Sequence, residues 1–145
     1  MKAGAQKEVT DEQINDLIDR GAWITMRRLV EKELKRLDPK KDRWIRHWWV
    51  VRLGLTYYEK RDYQTALTHY EEAHKIAPRC PLALWSLGLC LDMLGRDEEA
   101  LKIYRRIIRR GVDRLAHDQC GEGKRWAKEL IKDCQERIKL ITEDV

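Results

Sequence analysis

Leu53-Gly54-Leu55 recurs further along the chain as Leu87-Gly88-Leu89, within a stretch, residues 47–114, that contains one pattern twice. Other members of the pattern keep the same interval: Ala66-Leu67 with Ala100-Leu101, and Tyr70 with Tyr104. A fixed period of this length is typical of helical repeat arrays, whose units bury their apolar faces only by stacking on their neighbours. The pattern therefore predicts an all-α protein built as a solenoid of antiparallel helix pairs.

The two copies resemble the tetratricopeptide repeat, a helix–turn–helix unit of about 34 residues. The first copy keeps nearly the whole consensus: Leu53, Gly54, Tyr57, Tyr63, Ala66, Tyr70, Ala73 and Pro78. The second copy keeps fewer positions: Leu87, Gly88, Ala100 and Tyr104. Neither copy has the family's tryptophan near its start, where Val50 and Leu84 stand instead. The resemblance implies a protein-interaction module and leaves the partner open.

The organisation predicted for the rest of the chain is a single domain of about seven helices. Its parts are a flexible tail at residues 1–9, then the domain at 10–145, divided into a degenerate helix pair (10–41), repeat one (47–80), repeat two (81–114), and a loop with a capping helix (115–145). The first pair is indicated by a capping box of Thr10 with Gln13. The last helix, about residues 124–141, has one apolar and one charged face, which suits the exposed end of an array.

The first helix of each copy is apolar nearly all round, whereas a surface helix normally has one apolar stripe. In the tetratricopeptide family these helices line a concave groove. The resemblance therefore assigns the ligand-facing positions to Trp48, Val51, Leu55 and Tyr58, then Leu82, Trp85, Leu89 and Asp92, with Arg52 and Asp92 on the rim.

Such a groove suits an amphipathic helix or an apolar extended peptide from another protein, with the tryptophans as anchors. Two alternatives use the same surface: the residues pack under the chain's own helices, or they are buried in a homodimer. Family members that hold acidic chaperone tails use a clamp of Lys, Asn and Arg. The matching positions here supply a single cation among Asp11, Asn15, Arg52, Leu82 and Ser86, so that role is not expected.

The charge pattern gives only weak support to nucleic-acid binding. The net charge is +5, and the basic ridge Arg105, Arg106, Arg109 and Arg110 is more simply a solvated outer face. The sequence shows no nucleophile with a base, no set of metal ligands and no phosphate-binding loop. We therefore expect no enzymatic activity, cofactor or bound metal. The combination of His117, Cys120 and Cys134 lacks a fourth ligand.

The cysteines and the start of the chain indicate a cytoplasmic protein. No export signal or membrane segment is visible, so the four cysteines are read as reduced thiols. Cys90 and Cys134 fit small apolar core positions, whereas Cys80 and Cys120 lie near predicted loops and are the candidates for reactive thiols.

Overall fold

The computed structural model describes residues 9–143, which are helical with no strand. Over these residues it has eight α-helices: α1 Asp11–Asp19, α2 Trp23–Arg36, α3 Arg43–Glu59, α4 Tyr63–Ile76, α5 Pro81–Met93, α6 Asp97–Arg110, α7 Val112–His117 and α8 Lys124–Glu143. The all-α prediction is confirmed. The tail predicted at residues 1–9 lies outside the described residues except for Val9. Within the described residues, no helix is both long enough and apolar enough to span a bilayer.

The helix ends follow local sequence signals. At α1, the Thr10 hydroxyl accepts from the Gln13 N–H at 3.2 Å, and the Gln13 side chain accepts from the Thr10 N–H at 2.9 Å. This is the predicted capping box. Pro81 opens α5, where a missing N–H costs nothing. Gly95 ends the turn after α5 with a positive φ, a conformation that side chains disfavour.

The helices of each repeat pair closely because a glycine leaves room for a ring. A Cβ placed on Gly54 would lie 2.6 Å from Tyr70 Cε1, and one on Gly88 would lie 2.9 Å from Ile103 Cγ2 and 3.0 Å from Tyr104 Cε1. The structure shows that Tyr70 and Tyr104, both buried, occupy the space.

Two hydrophobic clusters run along the array. One joins α1 and α2 to α3, with Ile14, Met26 and Val30 fully buried beside Trp49. The larger cluster joins α3 to α8 and ends on Ala127, Leu130 and Cys134, which are buried by the face of the last helix predicted to be apolar.

The short helix α7 is an addition to the predicted plan, since the sequence indicated only a loop between repeat two and the last helix. Leu115 and Ala116 of α7 are buried against the core. Residues 118–123 form the connection to α8, and they include Gly121, where a Cβ would collide with the backbone carbonyl groups of Leu115 and Ala116. The loop therefore packs directly on the helix before it.

Candidate partner-binding groove

A groove of about 350 Å³ lies where α1, α3 and α5 face one another. Its lining comprises Asp11, Asn15, Ile18, Trp48, Val51, Arg52, Leu55, Tyr70, Leu82, Ser86 and Glu122. Five of the nine predicted partner-binding residues are among them: Trp48, Val51, Arg52, Leu55 and Leu82. The first helices of successive pairs thus lie side by side, as expected for a concave surface.

Arg52 is the most unusual residue of the groove. Its side chain is only 10% exposed, and its Nη2 donates to Asp11 Oδ1 at 3.2 Å. Its Nε and Nη1 are buried and have no acceptor among the described residues. Burial lowers the pKa of Arg52, and the Asp11 carboxylate opposes that effect. The residue therefore retains unused donors inside an apolar surface.

Trp48 forms the wall beside this cation. The Arg52 guanidinium carbon lies 4.1 Å from the centroid of the Trp48 ring, a cation–π distance. The Trp48 Nε1–H points to Asp11 Oδ1 at 3.4 Å, so one carboxylate orients both side chains. Trp48, Leu55 and Leu82 are half-buried, and their remaining surface supplies the apolar part of the groove.

The other four predicted residues, Tyr58, Trp85, Leu89 and Asp92, do not line this groove. Trp85 packs on Tyr104 with ring centroids 5.5 Å apart. The Asp92 carboxylate accepts from the Tyr104 hydroxyl at 2.9 Å and from Arg137 Nη2 at 2.7 Å. Asp92 therefore ties α5 to α6 and α8.

The predicted basic ridge lies on the outer side of α6. Arg105, Arg106 and Arg109 are exposed there. Arg110 differs, since it pairs with Asp118 through two hydrogen bonds of 2.9 and 2.6 Å. The ridge has no aromatic side chain among its members, which a platform for nucleotide bases would require.

A second cluster, outside the groove lining, was missed from the sequence. His47, Cys80 and Cys120 lie together, although they are far apart along the chain and no local motif marks them. A hydrogen bond with Cys120 lowers the pKa of Cys80 to about 5, against the opposing effect of burial. The same contact raises the pKa of Cys120. His117 is exposed and does not join them, and Cys134 is buried in the core as predicted.

The stacked helix pairs and the concave groove define the class of the protein, a helical repeat domain of the kind that binds other proteins. Comparison with known families supports this class, because the tetratricopeptide repeat model matches residues 51–113. This segment of the chain is therefore similar to tetratricopeptide repeats. That family is a non-catalytic interaction fold whose domains typically bind other proteins. No curated protein matches the chain.

Proposed function

We propose that the protein is an interaction adaptor that holds a peptide or an amphipathic helix of another protein in the groove of the first repeat. The observation that carries this proposal is Arg52, a buried cation with two donor nitrogens, Nε and Nη1, that lack acceptors among the described residues. An unsatisfied buried donor costs on the order of 1–3 kcal/mol, and more when it is charged. Because Nε and Nη1 are covered, a ligand oxygen would remove this cost only after a shift of the Arg52 side chain towards the groove.

The chemistry of the groove restricts its ligand. Trp48, Leu55 and Leu82 favour an apolar side chain on the ligand, next to the oxygen that meets Arg52. Asp11 and Glu122 add two carboxylates at the same groove. These repel a strongly acidic tail and favour a basic neighbour in the ligand sequence. We therefore infer a ligand segment with one acceptor, either a carboxylate or a main-chain carbonyl, between apolar and basic residues.

The test is a peptide-display selection against the full chain, followed by affinity measurement for the best peptide. Arg52→Met and Trp48→Ala should each weaken binding at least about tenfold, the loss of one charge-assisted hydrogen bond or one aromatic anchor. Arg109→Met, which removes an exposed arginine of the outer ridge, is the matched control and should bind as the unmodified protein does. Equal affinity for all four proteins would reject the groove as the site.

The same surface could instead be covered by a second copy of the chain. Sedimentation velocity at micromolar concentration separates the two proposals, since a monomer has the groove free for another protein. A dimer that Arg52→Met dissociates would assign the groove to self-association. Nucleic-acid binding through α6 remains the third and weakest alternative, and it requires an affinity that falls steeply with salt.

The remaining expectations stand as proposals. We propose one domain over residues 10–145, with α1 and α2 as a degenerate pair and α8 as the cap. Support comes from the shared clusters that run from α1 to α8. We propose that the protein has no catalytic role of its own. A cytoplasmic location is supported by four cysteines that are all free thiols.

A further inference from the structure

Three side chains from separate elements converge beside the repeats. His47 is on α3, Cys80 is the residue before α5, and Cys120 lies in the loop between α7 and α8. Their possible ligand atoms all lie within 4.8 Å of one another, and His47 Nε2 is 3.1 Å from Cys120 Sγ. His47 and Cys80 are at most 1% exposed, whereas Cys120 is half-buried and leaves the cluster accessible.

A hydrogen bond to the backbone fixes the orientation of the His47 ring. Its Nδ1 hydrogen-bonds the backbone carbonyl of Trp44. Because a carbonyl only accepts, we assign the ring proton to Nδ1, and the lone pair of Nε2 then points towards the two sulfurs. Histidines that bind metals almost always donate their other N–H to a carbonyl or carboxylate in this way.

The backbone holds Cys120 in an uncommon conformation. Its φ is positive, in the left-handed region that residues other than glycine seldom adopt. The next residue, Gly121, has no space for a Cβ because the carbonyl groups at the end of α7 press against it. Local strain of this kind persists where the surrounding structure fixes it, and it concentrates at functional sites. The loop therefore has a geometry that directs Cys120 towards His47 and Cys80.

We propose that His47 Nε2, Cys80 Sγ and Cys120 Sγ bind one Zn²⁺ ion. Two thiolates and one imidazole are ligands that zinc prefers, at about 2.3 Å for sulfur and about 2.0–2.1 Å for nitrogen. A tetrahedral ion with these bonds separates its ligand atoms by roughly 3.4–3.8 Å, so small side-chain movements suffice. Both thiols release a proton on binding, and the fourth position is left to water or another exchangeable donor.

Such an ion would cross-link α3 and the residue that caps α5 to the connection that precedes α8. This proposal does not depend on the groove function. Arg52 lies near enough to Cys120 to stabilise its thiolate, so Arg52→Met should weaken metal binding without abolishing it. The failure of either proposal would leave the other standing.

The experiment uses the reduced, metal-stripped full chain and Co²⁺ as a spectroscopic probe. One equivalent of Co²⁺ should produce thiolate-to-cobalt charge-transfer absorbance in the near ultraviolet, together with the intense visible bands of a tetrahedral site. One equivalent of Zn²⁺ should abolish both. Cys80→Ser and Cys120→Ser should each weaken binding on the order of 100-fold or more, since outer partners of a metal ligand alone contribute roughly 10–100-fold.

Cys134→Ser is the matched control, because Cys134 is a buried thiol outside the cluster, and it should bind Co²⁺ as the unmodified chain does. Far-ultraviolet circular dichroism checks that each variant is folded. The Co²⁺ titration of the unmodified chain tests the proposal even if a variant fails to fold. Absence of the charge-transfer band in the reduced, unmodified protein would overturn the proposal. Unchanged binding in both Cys80→Ser and Cys120→Ser would also overturn it.

Discussion

The two copies of the repeat share their packing residues and differ on the concave face. Gly54 and Gly88 each accept a tyrosine ring from the paired helix. At the matching concave positions, the first copy has Arg52 where the second has Ser86, and Tyr58 where the second has Asp92. The pattern that defines the fold therefore does not determine the surface that a partner would meet.

The first copy keeps an open groove, whereas the second is tied to the last helix. Arg52 has two donor nitrogens without acceptors among the described residues, and Trp48 retains part of its exposed surface. In the second copy, Asp92 is satisfied by Tyr104 and Arg137. Arg52 of one copy thus keeps donor nitrogens without acceptors, while Asp92 of the other ties α5 to α6 and α8.

The largest change in stability is expected at the glycine that both copies share. Gly54→Leu should lower the free energy of unfolding by about 3 kcal/mol, the upper end of overpacking costs, because three atoms of the buried Tyr70 ring lie within 3.1 Å of the added Cβ. Gly88→Leu should cost less, since its nearest neighbours are further away, at 2.9 Å for Ile103 Cγ2 and 3.0 Å for Tyr104 Cε1. Urea unfolding measures both, and Gln64→Leu on the exposed side of α4 is the control. Equal stability of Gly54→Leu and the control would contradict the packing account.

A smaller loss of stability is expected at Asp92, which ties the second copy to the last helix. Asp92→Ala leaves the Tyr104 hydroxyl and Arg137 without their shared acceptor. The loss of that acceptor should cost about 2 kcal/mol. Glu129→Ala removes an exposed partner of Arg125 on α8, and for such a surface pair the change should be about 0.5 kcal/mol or less. If chemical unfolding gave the two variants the same stability, Asp92 would not be tying the helices together.

Substitution of Arg52 in the first copy should not lower the free energy of unfolding. Arg52→Met replaces a buried, incompletely paired cation with an apolar side chain, so it should leave the stability unchanged or raise it by about 1 kcal/mol. A clear loss of stability in urea unfolding would show that Arg52 stabilises the fold. Peptide binding by the same variant should nevertheless be weakened.

The smallest expected effect is a difference between the two copies in how the stability of the fold depends on pH. His74 of the first copy corresponds to Ile108 of the second. Burial lowers the pKa of His74, and Arg106 lowers it further. The folded state thus binds the proton less readily than the unfolded state does, so the stability from the neutral ring is complete above about pH 6.5 and is lost as the pH falls.

His74→Ile should therefore reduce the loss of stability between about pH 7 and about pH 5, in melting curves recorded across that range. The substitution His117→Gln, at an exposed histidine, is the control for the removal of an imidazole. An identical acid response in the His74 variant and the unmodified chain would remove His74 as a cause.

Much of the fold could be predicted from the sequence because the repeat interval, the capping box and the apolar faces are local signals. The family resemblance correctly indicated Trp48, Val51, Arg52 and Leu55 of the first copy as groove-lining residues, but not Tyr58. The role of Asp92 could not be predicted, because its partner Arg137 is distant along the chain and α8 is outside the repeat pattern.

The cluster of His47, Cys80 and Cys120 could not be predicted from the sequence for a similar reason. It forms only after three elements pack together, and the sequence places no two of its members at a metal-binding spacing. The sequence predicted only a loop before the last helix, whereas the packing of Gly121 against α7 explains why Cys120 reaches the cluster.

The most direct test of the groove is the side-chain Nε–H resonance of Arg52 in a ¹⁵N-labelled chain. In the free protein this donor has no acceptor among the described residues. Addition of the selected peptide should shift the resonance and slow its exchange with water, to an extent that saturates with binding, while the Nε–H of the exposed Arg109 stays unchanged. A peptide that saturates the protein and leaves the Arg52 resonance unmoved would contradict the assignment of the first-repeat groove as the binding site.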